Sequence, residues 1–417
     1  MEKFAFLFSG QGTQFTQMGK TFYDNYTISR QTYEEATEVV GKDIAKLCFE
    51  GSISELSQFT NMQIAIVTTE VAIFRAYMHE YGISPQFSLG HSIGEYAALV
   101  SAGALKFGDT LKILQKRGEL VERIGKKDNS RMTVIENLDI DSIQQEIEKL
   151  GIEKTVYVSC DNSSKQVAIS GLNEDMDVLE QKLESINGIV TPMFFSPPMH
   201  SPIMNECVEE YREFLSRFTA YPFRFPIISN VTGRAFSDDT SLFDLLATQL
   251  ISPVLWRKST NLLYEYGITA VIEMGPKLLL TKFISEEQPS IQTYCYGLGN
   301  DRKELAELFN NDMNFAKDKP DFVGRCLAIL ASTPNYNSDS RAFQDVIKNY
   351  NYIKKQHEAL ANYQFGSMNE QYQEILHKLI QCLDIKQLPK AEIRNRVNML
   401  LDETNLFYTF KDIAEAI

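Results

Sequence analysis

Ser92 lies in a short element, Gly90-His91-Ser92-Ile93-Gly94, whose residue types and spacing suit a nucleophilic serine. Glycines on both sides of a serine allow a tight, strained turn and the close approach of neighbouring elements. A helix that begins at such a turn directs its N-terminal amides towards developing negative charge. The pattern therefore favours Ser92 as a nucleophile. The alternative is a glycine-rich turn that happens to contain a serine, because three fixed residues are a weak signal alone.

A serine hydroxyl needs a base, and the chain has five histidines: His79, His91, His200, His357 and His377. His91 is adjacent to Ser92, so on a sharp turn its side chain should point away from the hydroxyl. His357 and His377 lie in amphipathic segments and are expected at the surface or the edge of a core. His200 follows two prolines in a loop just beyond a predicted strand, where functional side chains often lie. We predict His200 as the base, against the alternative of a histidine satisfied within its loop.

The elements that must position these residues appear in the hydrophobic pattern. Short apolar runs predict buried strands at Phe4 to Phe8, Phe87 to Leu89, Pro226 to Ser229 and Ala270 to Met274. The first run leads through a glycine-rich turn, Ser9 to Gly12, into a helical stretch, and the second leads through the Ser92 element into another. This alternation predicts an α/β fold.

A smaller unit interrupts this pattern between Met132 and Phe195. Its strand candidates are Met132 to Ile135, Val156 to Ser159, Val167 to Ser170 and Ile189 to Phe194. Helical stretches, Ser142 to Leu150 and Met176 to Ile186, separate them. The order βαββαβ predicts a ferredoxin-like insertion.

After about Gly299 the composition shifts towards helices. Apolar residues recur at helical spacing at Phe343, Val346, Ile347, Tyr350 and Ile353, and at Tyr372, Ile375, Leu376, Leu379, Ile380 and Leu383. Gly366 and Pro389 punctuate these stretches. We therefore predict an α/β core over residues 1–130 and 196–293, a ferredoxin-like subdomain over 131–195, and a helical C-terminal region over 300–417.

The overall composition fits a globular protein, since 44% of its 417 residues are apolar. A net charge of -14 argues against nucleic acid or an anionic membrane as a partner. The six cysteines form no CxxC pair, which disfavours a zinc site and fits a reducing cytoplasm. No stretch approaches the ~18 apolar residues of a membrane span, and Met1 to Phe8 is too short for a signal peptide. We expect a cytoplasmic monomer.

Several ordered motifs resemble those of malonyl-CoA:acyl carrier protein transacylases and of polyketide synthase (PKS) acyltransferase domains. They are Phe8-Ser9-Gly10-Gln11-Gly12, Gly90 to Glu95, Lys116-Arg117-Gly118, His200-Ser201-Pro202, Gln249 with Trp256, and Glu273 to Pro276. The resemblance covers about Met1 to Thr293 and implies a hydrolase-like α/β domain with a ferredoxin-like insertion. It also implies transfer of a malonyl group from malonyl-CoA to the phosphopantetheine thiol of an acyl carrier protein, for polyketide or fatty acid biosynthesis. No cofactor is implied beyond these two substrates.

The resemblance also assigns roles within the site. It makes Ser92 the acylated nucleophile and His200 the general base. The main-chain amides of Gln11 and Ile93 would form the oxyanion hole. The family orients its histidine by a main-chain carbonyl rather than a carboxylate, and Gln249 is the equivalent position. The expected site is therefore a Ser–His dyad.

Arg117 would bind the free carboxylate of the malonyl group. Its planar fork can grip a carboxylate through two parallel hydrogen bonds, whereas an acetyl group would leave the guanidinium unpaired. Without the resemblance, Arg117 reads as a surface or helix-pairing residue within the charged stretch Gln115 to Arg123. Many malonyl-selective PKS domains have alanine and phenylalanine where this chain has Pro198 and Met199. Met199 is large enough to crowd an α-substituent, which favours unbranched malonyl.

The region after Gly299 resembles that of longer stand-alone acyltransferases that load PKSs in trans, and Gly324 to Ile329 adds to this likeness. The alternative is a helical cap on the main domain. Other functions also stay open: an acyl hydrolase, an acyltransferase for another carboxylated extender unit, or a non-catalytic carrier-binding module. Arg117 argues against the hydrolase, and intact Ser92, His200 and Gln11 argue against the binding module.

Overall fold

The computed structural model describes residues 3–127, 129–193, 196–237, 241–311, 321–337, 339, 341–360, 369–404, 406 and 410–417. The chain divides into two compact units. The first comprises Met1–Phe74 and Pro85–Arg302, and the second comprises Arg75–Ser84 and Lys303–Ile417.

The described strands are β1 Phe4–Phe8, β2 Phe87–Gly90, β3 Ser130–Glu136, β4 Val156–Ser163, β5 Gln166–Leu172, β6 Ile189–Met193, β7 Ile227–Ile228, β8 Ala270–Glu273 and β9 Gln292–Cys295. The described helices are α1 Lys20–Asn25, α2 Thr27–Val40, α3 Ile44–Phe49, α4 Ile53–Leu56, α5 Phe59–Glu80, α6 Gly94–Ser101, α7 Phe107–Lys127, α8 Ile140–Leu150, α9 Asn173–Ser185, α10 Asn205–Leu215, α11 Leu242–Thr248, α12 Trp256–Glu265, α13 Leu280–Glu287, α14 Gly299–Asn311, α15 Phe322–Ser332, α16 Ala342–Leu360, α17 Asn369–Ile385, α18 Lys390–Glu403 and α19 Lys411–Glu415. A short 3₁₀ helix, Pro202–Met204, precedes α10.

A parallel sheet forms the centre of the first unit, with strand order β7-β2-β1-β8-β9. Every residue of β1 is buried, which explains its continuous apolar sequence. The predicted α/β fold with strands β1, β2, β7 and β8 is confirmed. Strand β9 was missed, because its mixed sequence Gln292-Thr293-Tyr294-Cys295 lies at the sheet edge and is half-exposed.

A second, antiparallel sheet has the strand order β4-β5-β3-β6. Its elements follow in the predicted order β3, α8, β4, β5, α9 and β6. Helices α8 and α9 contribute Ile143, Met176 and Leu179 to a core with Ile135 and Val167 of the sheet. The observed β4 is longer than predicted and runs to Ser163. Phe194, predicted at the end of β6, lies outside the described residues.

The second unit is helical, as the periodicity after Gly299 predicted. Helices α15 to α18 bury one apolar cluster, which includes Cys326, Ile353, Leu379 and Val397. Pro389 directly precedes α18, where its fixed backbone suits a helix start. Gly366 lies outside the described residues.

The second unit also contains Arg75–Ser84, the end of α5 and the turn after it, which the sequence-based division placed in the α/β core. Aromatic packing explains this difference. The rings of Tyr77 and Tyr81 lie 6.2 and 4.9 Å from that of Phe309. Such contacts cannot be read from the period of a single helix.

All six cysteines are free and buried: Cys48, Cys160, Cys207, Cys295, Cys326 and Cys382. Burial raises the pKa of the Cys48 and Cys160 thiols to about 12. In the described part of the chain, helices lack the length and apolar character needed to cross a membrane.

Candidate active site

The Ser92 turn is a strand-to-helix elbow, as predicted. Strand β2 ends at Gly90 and α6 begins at Gly94. Ser92 has a φ of 52°, a left-handed conformation that is strained for a residue with a side chain. A side chain at Gly90 would collide with the Gly94 carbonyl, and one at Gly94 would collide with the Phe8 carbonyl. Both glycines are therefore needed for the elbow to close against β1.

His200 lies directly against the serine. Its Nε2 is 2.7 Å from Ser92 Oγ, and its Nδ1 is 2.7 Å from the main-chain oxygen of Gln249. A carbonyl oxygen can only accept, so Nδ1 carries the proton and Nε2 is free to accept the Ser92 hydroxyl proton. These distances would suit a Ser–His dyad, with a carbonyl where many serine enzymes have a carboxylate.

The environment keeps His200 neutral. Burial is the larger cause and the positive charge of Arg117 adds to it, and together they lower the pKa of His200 to about 3. His200 has a left-handed φ of 59°, a strained conformation for a residue with a side chain. A neutral imidazole can accept a proton across the physiological pH range.

Arg117 is buried on α7, with only 1% of its surface exposed, so the alternative of a surface arginine is wrong. Its Nη1 donates to Gln63 Oε1, and its Nη2 lies 3.5 Å from Gln249 Oε1. Its Nε has no partner among the described residues. The guanidinium also lies 5.6 Å from the Tyr96 ring centroid and 6.0 Å from that of Phe59. A buried cation with neutral partners favours an anionic ligand.

The main-chain amides of Gln11 and Ile93 donate to no described residue. Ile93 is the N-cap of α6, where amides are free of intrahelical bonds. The turn that carries Gln11 packs on the elbow, because a side chain at Gly10 would lie 2.7 Å from the His91 carbonyl oxygen. Glu70 holds the base of that turn by accepting the Ser9 amide and hydroxyl at 2.5 and 2.6 Å. Two unpaired amides beside a serine can stabilise an oxyanion.

One cavity of about 340 Å³ brings the predicted residues together; among those that line it are Gln11, Ser92, Ile93, Arg117, Met199 and His200. Gln249 is not among the lining residues, and its part in the site is its contacts with His200 and Arg117. The cavity has further apolar walls from Met132, Val134, Leu280 and Phe283. The space suits an acyl chain whose charged end meets Arg117.

Two site residues received no role from the sequence. Asn230 Oδ1 accepts the Ser92 amide at 2.7 Å, and its Nδ2 donates to the Gly90 oxygen at 2.6 Å. Glu95 accepts the Asn230 amide at 2.8 Å, and burial raises the pKa of its carboxyl to about 8. Glu95 belongs to the Ser92 motif and could have been singled out. Asn230, 138 residues from Ser92, gives no local signal.

Two of the other histidines, His91 and His357, contact residues other than Ser92. His91 Nε2 lies 2.7 Å from Asn162 Oδ1, and its ring meets the Trp256 ring at 5.4 Å. His357, in the second unit, is partly exposed and pairs with Asp321 at 2.8 Å. The prediction that His357 lies at the surface is therefore confirmed.

Known proteins resemble this chain in sequence and in fold. Residues 5–319 match the family model described as acyl transferase domain. A malonyl CoA-acyl carrier protein transacylase of Bacillus subtilis is 31% identical over 394 residues, which cover 94% of this chain and 98% of that protein. Another, from Bacillus subtilis strain 168, is 34% identical over 70% of this chain and 93% of that protein.

A solved structure of a type II PKS acyl-carrier protein in complex with its malonyl-transacylase is also similar, with a TM-score of 0.70 and 26% identity. The match covers 73% of this chain and 99% of that chain. Since the family model spans well over half of the sequence and includes the elbow, the histidine and the buried arginine, the chain belongs to the acyl transferase family.

Proposed function

We propose that this protein transfers a malonyl group from malonyl-CoA to the phosphopantetheine thiol of an acyl carrier protein through an acyl-enzyme on Ser92. The observation that carries the proposal is the shared cavity, in which the Ser92–His200 pair and the buried guanidinium of Arg117 face the same space. The first can form an acyl ester, and the second can bind the free carboxylate of the acyl group. The names of the relatives support the same donor and acceptor.

In the first half-reaction, Ser92 Oγ attacks the thioester carbonyl while His200 Nε2 takes its proton. The amides of Gln11 and Ile93 stabilise the negative oxygen of the tetrahedral intermediate. The carbon–sulfur bond then breaks, and the imidazolium returns its proton to the departing CoA sulfur. The Gln249 carbonyl stabilises the imidazolium while it lasts.

The second half-reaction runs in reverse with a new thiol. His200 Nε2 takes the proton of the phosphopantetheine thiol, and the sulfur attacks the malonyl ester on Ser92. The ester bond breaks, and Ser92 Oγ recovers a proton from the imidazolium. Both steps use only these residues and the two substrates, so the proposed reaction needs no cofactor.

The direct test is incubation with malonyl-CoA, methylmalonyl-CoA and acetyl-CoA, followed by intact-mass measurement. We expect malonyl to be added once, and the other groups to be added more slowly. Met199 supports this order, because it is buried beside the cavity and its main-chain oxygen is held by Ser170 Oγ at 2.8 Å. Preferred loading of methylmalonyl would assign another carboxylated extender unit. Rapid loss of the malonyl ester to water would favour the hydrolase.

Arg117→Ala is expected to lose malonyl loading while acetyl loading stays level or rises. The change removes both the carboxylate clamp and the penalty of leaving the clamp empty. A bidentate, charge-assisted pair in a largely dry site stabilises binding by about 2–4 kcal/mol, so the malonyl-to-acetyl preference should fall about 30-fold or more. The measurement is kcat/KM for both CoA esters.

The control for Arg117→Ala is Arg123→Ala on the same helix. Arg123 is exposed and pairs with Glu210 at 2.7 Å, so its loss should leave the preference unchanged. If Arg117→Ala also leaves the ratio unchanged, the substrate is not selected by this guanidinium.

The acylation rate should stay level as the pH falls from about 7 to about 5, because the pKa of His200 is lowered to about 3 and the imidazole stays in its basic form. A histidine base with the unperturbed pKa of about 6.5 would become protonated below that pH, and the acylation rate would fall. Single-turnover loading across this range checks the prediction. An acid limb centred near pH 6.5 would contradict it.

The antiparallel sheet supports a ferredoxin-like identity for the insertion, because its strand order and its two helices match that arrangement.

Six free cysteines support a reducing compartment, the cytoplasm. The 394-residue match to the Bacillus subtilis relative extends well past Gly299, which supports the helical region as part of this transacylase type. We expect a monomer and, because the net charge is -14, no nucleic-acid partner.

A further inference from the structure

The Gln249 side chain joins several parts of the site. Its Nε2 donates to the main-chain oxygen of Ser92 at 3.1 Å and to Glu95 Oε2, and its Oε1 lies 3.5 Å from Arg117 Nη2. Its main-chain oxygen meets His200 Nδ1. The direction of the side-chain amide therefore matters to Arg117. The oxygen of the Gln249 amide attracts the Arg117 guanidinium, whereas the amide nitrogen in that position would place two N–H donors against each other.

Glu95 and the main-chain oxygen of Ser92 together fix the direction of that amide. The buried carboxyl group of Glu95 lies in the first turn of α6, where Oε1 accepts the Asn230 amide at 2.8 Å and Oε2 accepts Gln249 Nε2. Both oxygens of a carboxyl group can accept, whether or not one carries a proton. The main-chain oxygen of Ser92 can only accept, so Gln249 Nε2 points to this side and Glu95 Oε2 provides its second acceptor. The amide oxygen is left for Arg117.

We propose that Glu95 is a positioning residue for substrate selection, which acts on the Arg117 clamp by holding the Gln249 amide with its oxygen towards the guanidinium. This inference rests on the proposed malonyl transfer. A purely structural role for Glu95 would affect every acyl donor alike. The positioning role affects donors that carry a carboxylate.

The electrostatics of the cluster fit this role. Burial raises the pKa of Glu95 to about 8, against the opposing effects of its hydrogen bonds and of the Arg117 charge. At neutral pH the carboxyl is therefore mostly uncharged. It can direct Gln249 without neutralising Arg117, and so leaves that charge for the substrate.

Glu95→Gln keeps the shape of the side chain but replaces one acceptor by a donor. The Asn230 amide belongs to the main chain and cannot turn, so it keeps the remaining oxygen. Gln249 Nε2 then meets a donor in place of an acceptor, which displaces the amide and moves its oxygen from its position beside Arg117. We expect kcat/KM for malonyl-CoA to fall about tenfold or more, with a raised KM for malonyl-CoA. We expect kcat/KM for acetyl-CoA to change by less than about threefold.

Two further variants make the test specific. Glu273→Gln is the same chemical change at another buried carboxyl, which accepts the amides of Leu280 and Thr281, and should leave the malonyl-to-acetyl ratio unchanged. Gln249→Met keeps the main-chain oxygen but removes the amide, and should lower the ratio as Glu95→Gln does. The double variant Glu95→Gln with Gln249→Met should lower the malonyl-to-acetyl ratio little more than either single variant does, because both changes act through the contact between Gln249 and Arg117.

The proposal is overturned if Glu95→Gln lowers kcat/KM equally for malonyl-CoA and acetyl-CoA, or if it leaves the malonyl-to-acetyl ratio unchanged. If thermal unfolding shows that Glu95→Gln does not fold, Gln249→Met decides, and an unchanged ratio in that variant overturns the proposal as well. The proposed function fails separately, if the wild-type protein does not load malonyl at all. Loss of the preference in Arg117→Ala but not in Glu95→Gln would overturn this inference alone.

Discussion

Ser92→Ala is expected to abolish the mass gain on incubation with malonyl-CoA. The variant removes the one oxygen that lies both on the elbow and 2.7 Å from His200 Nε2. Intact-mass measurement after incubation reports the result directly, because each malonyl ester adds one fixed mass. Loading at the wild-type level would show that another residue carries the acyl group.

Ser201→Ala provides a control for this change. Ser201 is adjacent to His200 and buried, but its hydroxyl donates to the Pro198 oxygen at 2.7 Å. The control removes a neighbouring hydroxyl without removing the nucleophile. We expect it to keep the ability to form the acyl-enzyme, so that loss in Ser92→Ala can be assigned to the reacting oxygen.

His200→Ala should slow acylation by roughly 10²–10⁴-fold, the usual contribution of a positioned general base. The Ser92 hydroxyl keeps its elbow and the free amides beside it, so some loading should persist over long incubation. Stopped or quenched single-turnover loading measures the rate. His357→Ala, which changes a partly exposed histidine of the second unit, should load at the wild-type rate. A His200→Ala rate within a few-fold of wild type would assign the base elsewhere.

The sequence predicted the nucleophile well because the information is local. A strand, two glycines and a helix lie within a dozen residues of Ser92, and each leaves its own pattern. The Gln249 carbonyl was predicted only through the family resemblance, since a main-chain oxygen has no residue signature. The Gln249 side chain escaped prediction for a related reason: its contacts join Ser92, Glu95 and Arg117 from three separate elements.

Arg117 shows the limit of helical periodicity. The charged stretch around it on α7 predicts an exposed face, and its neighbours Lys116 and Arg123 do form ion pairs with Glu210. Arg117 is the charged residue of that stretch that is buried, where it contacts Gln63, and the charge pattern alone does not reveal this. The same holds for Asn230, which reaches the elbow from a strand end far away in sequence.

Because the native cysteines are buried, we expect them to react slowly with thiol reagents. Thiol reagents attack the thiolate, and burial leaves these groups enclosed and, with the pKa of Cys48 and Cys160 raised to about 12, protonated near neutral pH. A cysteine introduced on an exposed surface would therefore react far ahead of the native ones. Fluorophores, spin labels or cross-linkers could then be attached at one chosen position without first removing any native cysteine.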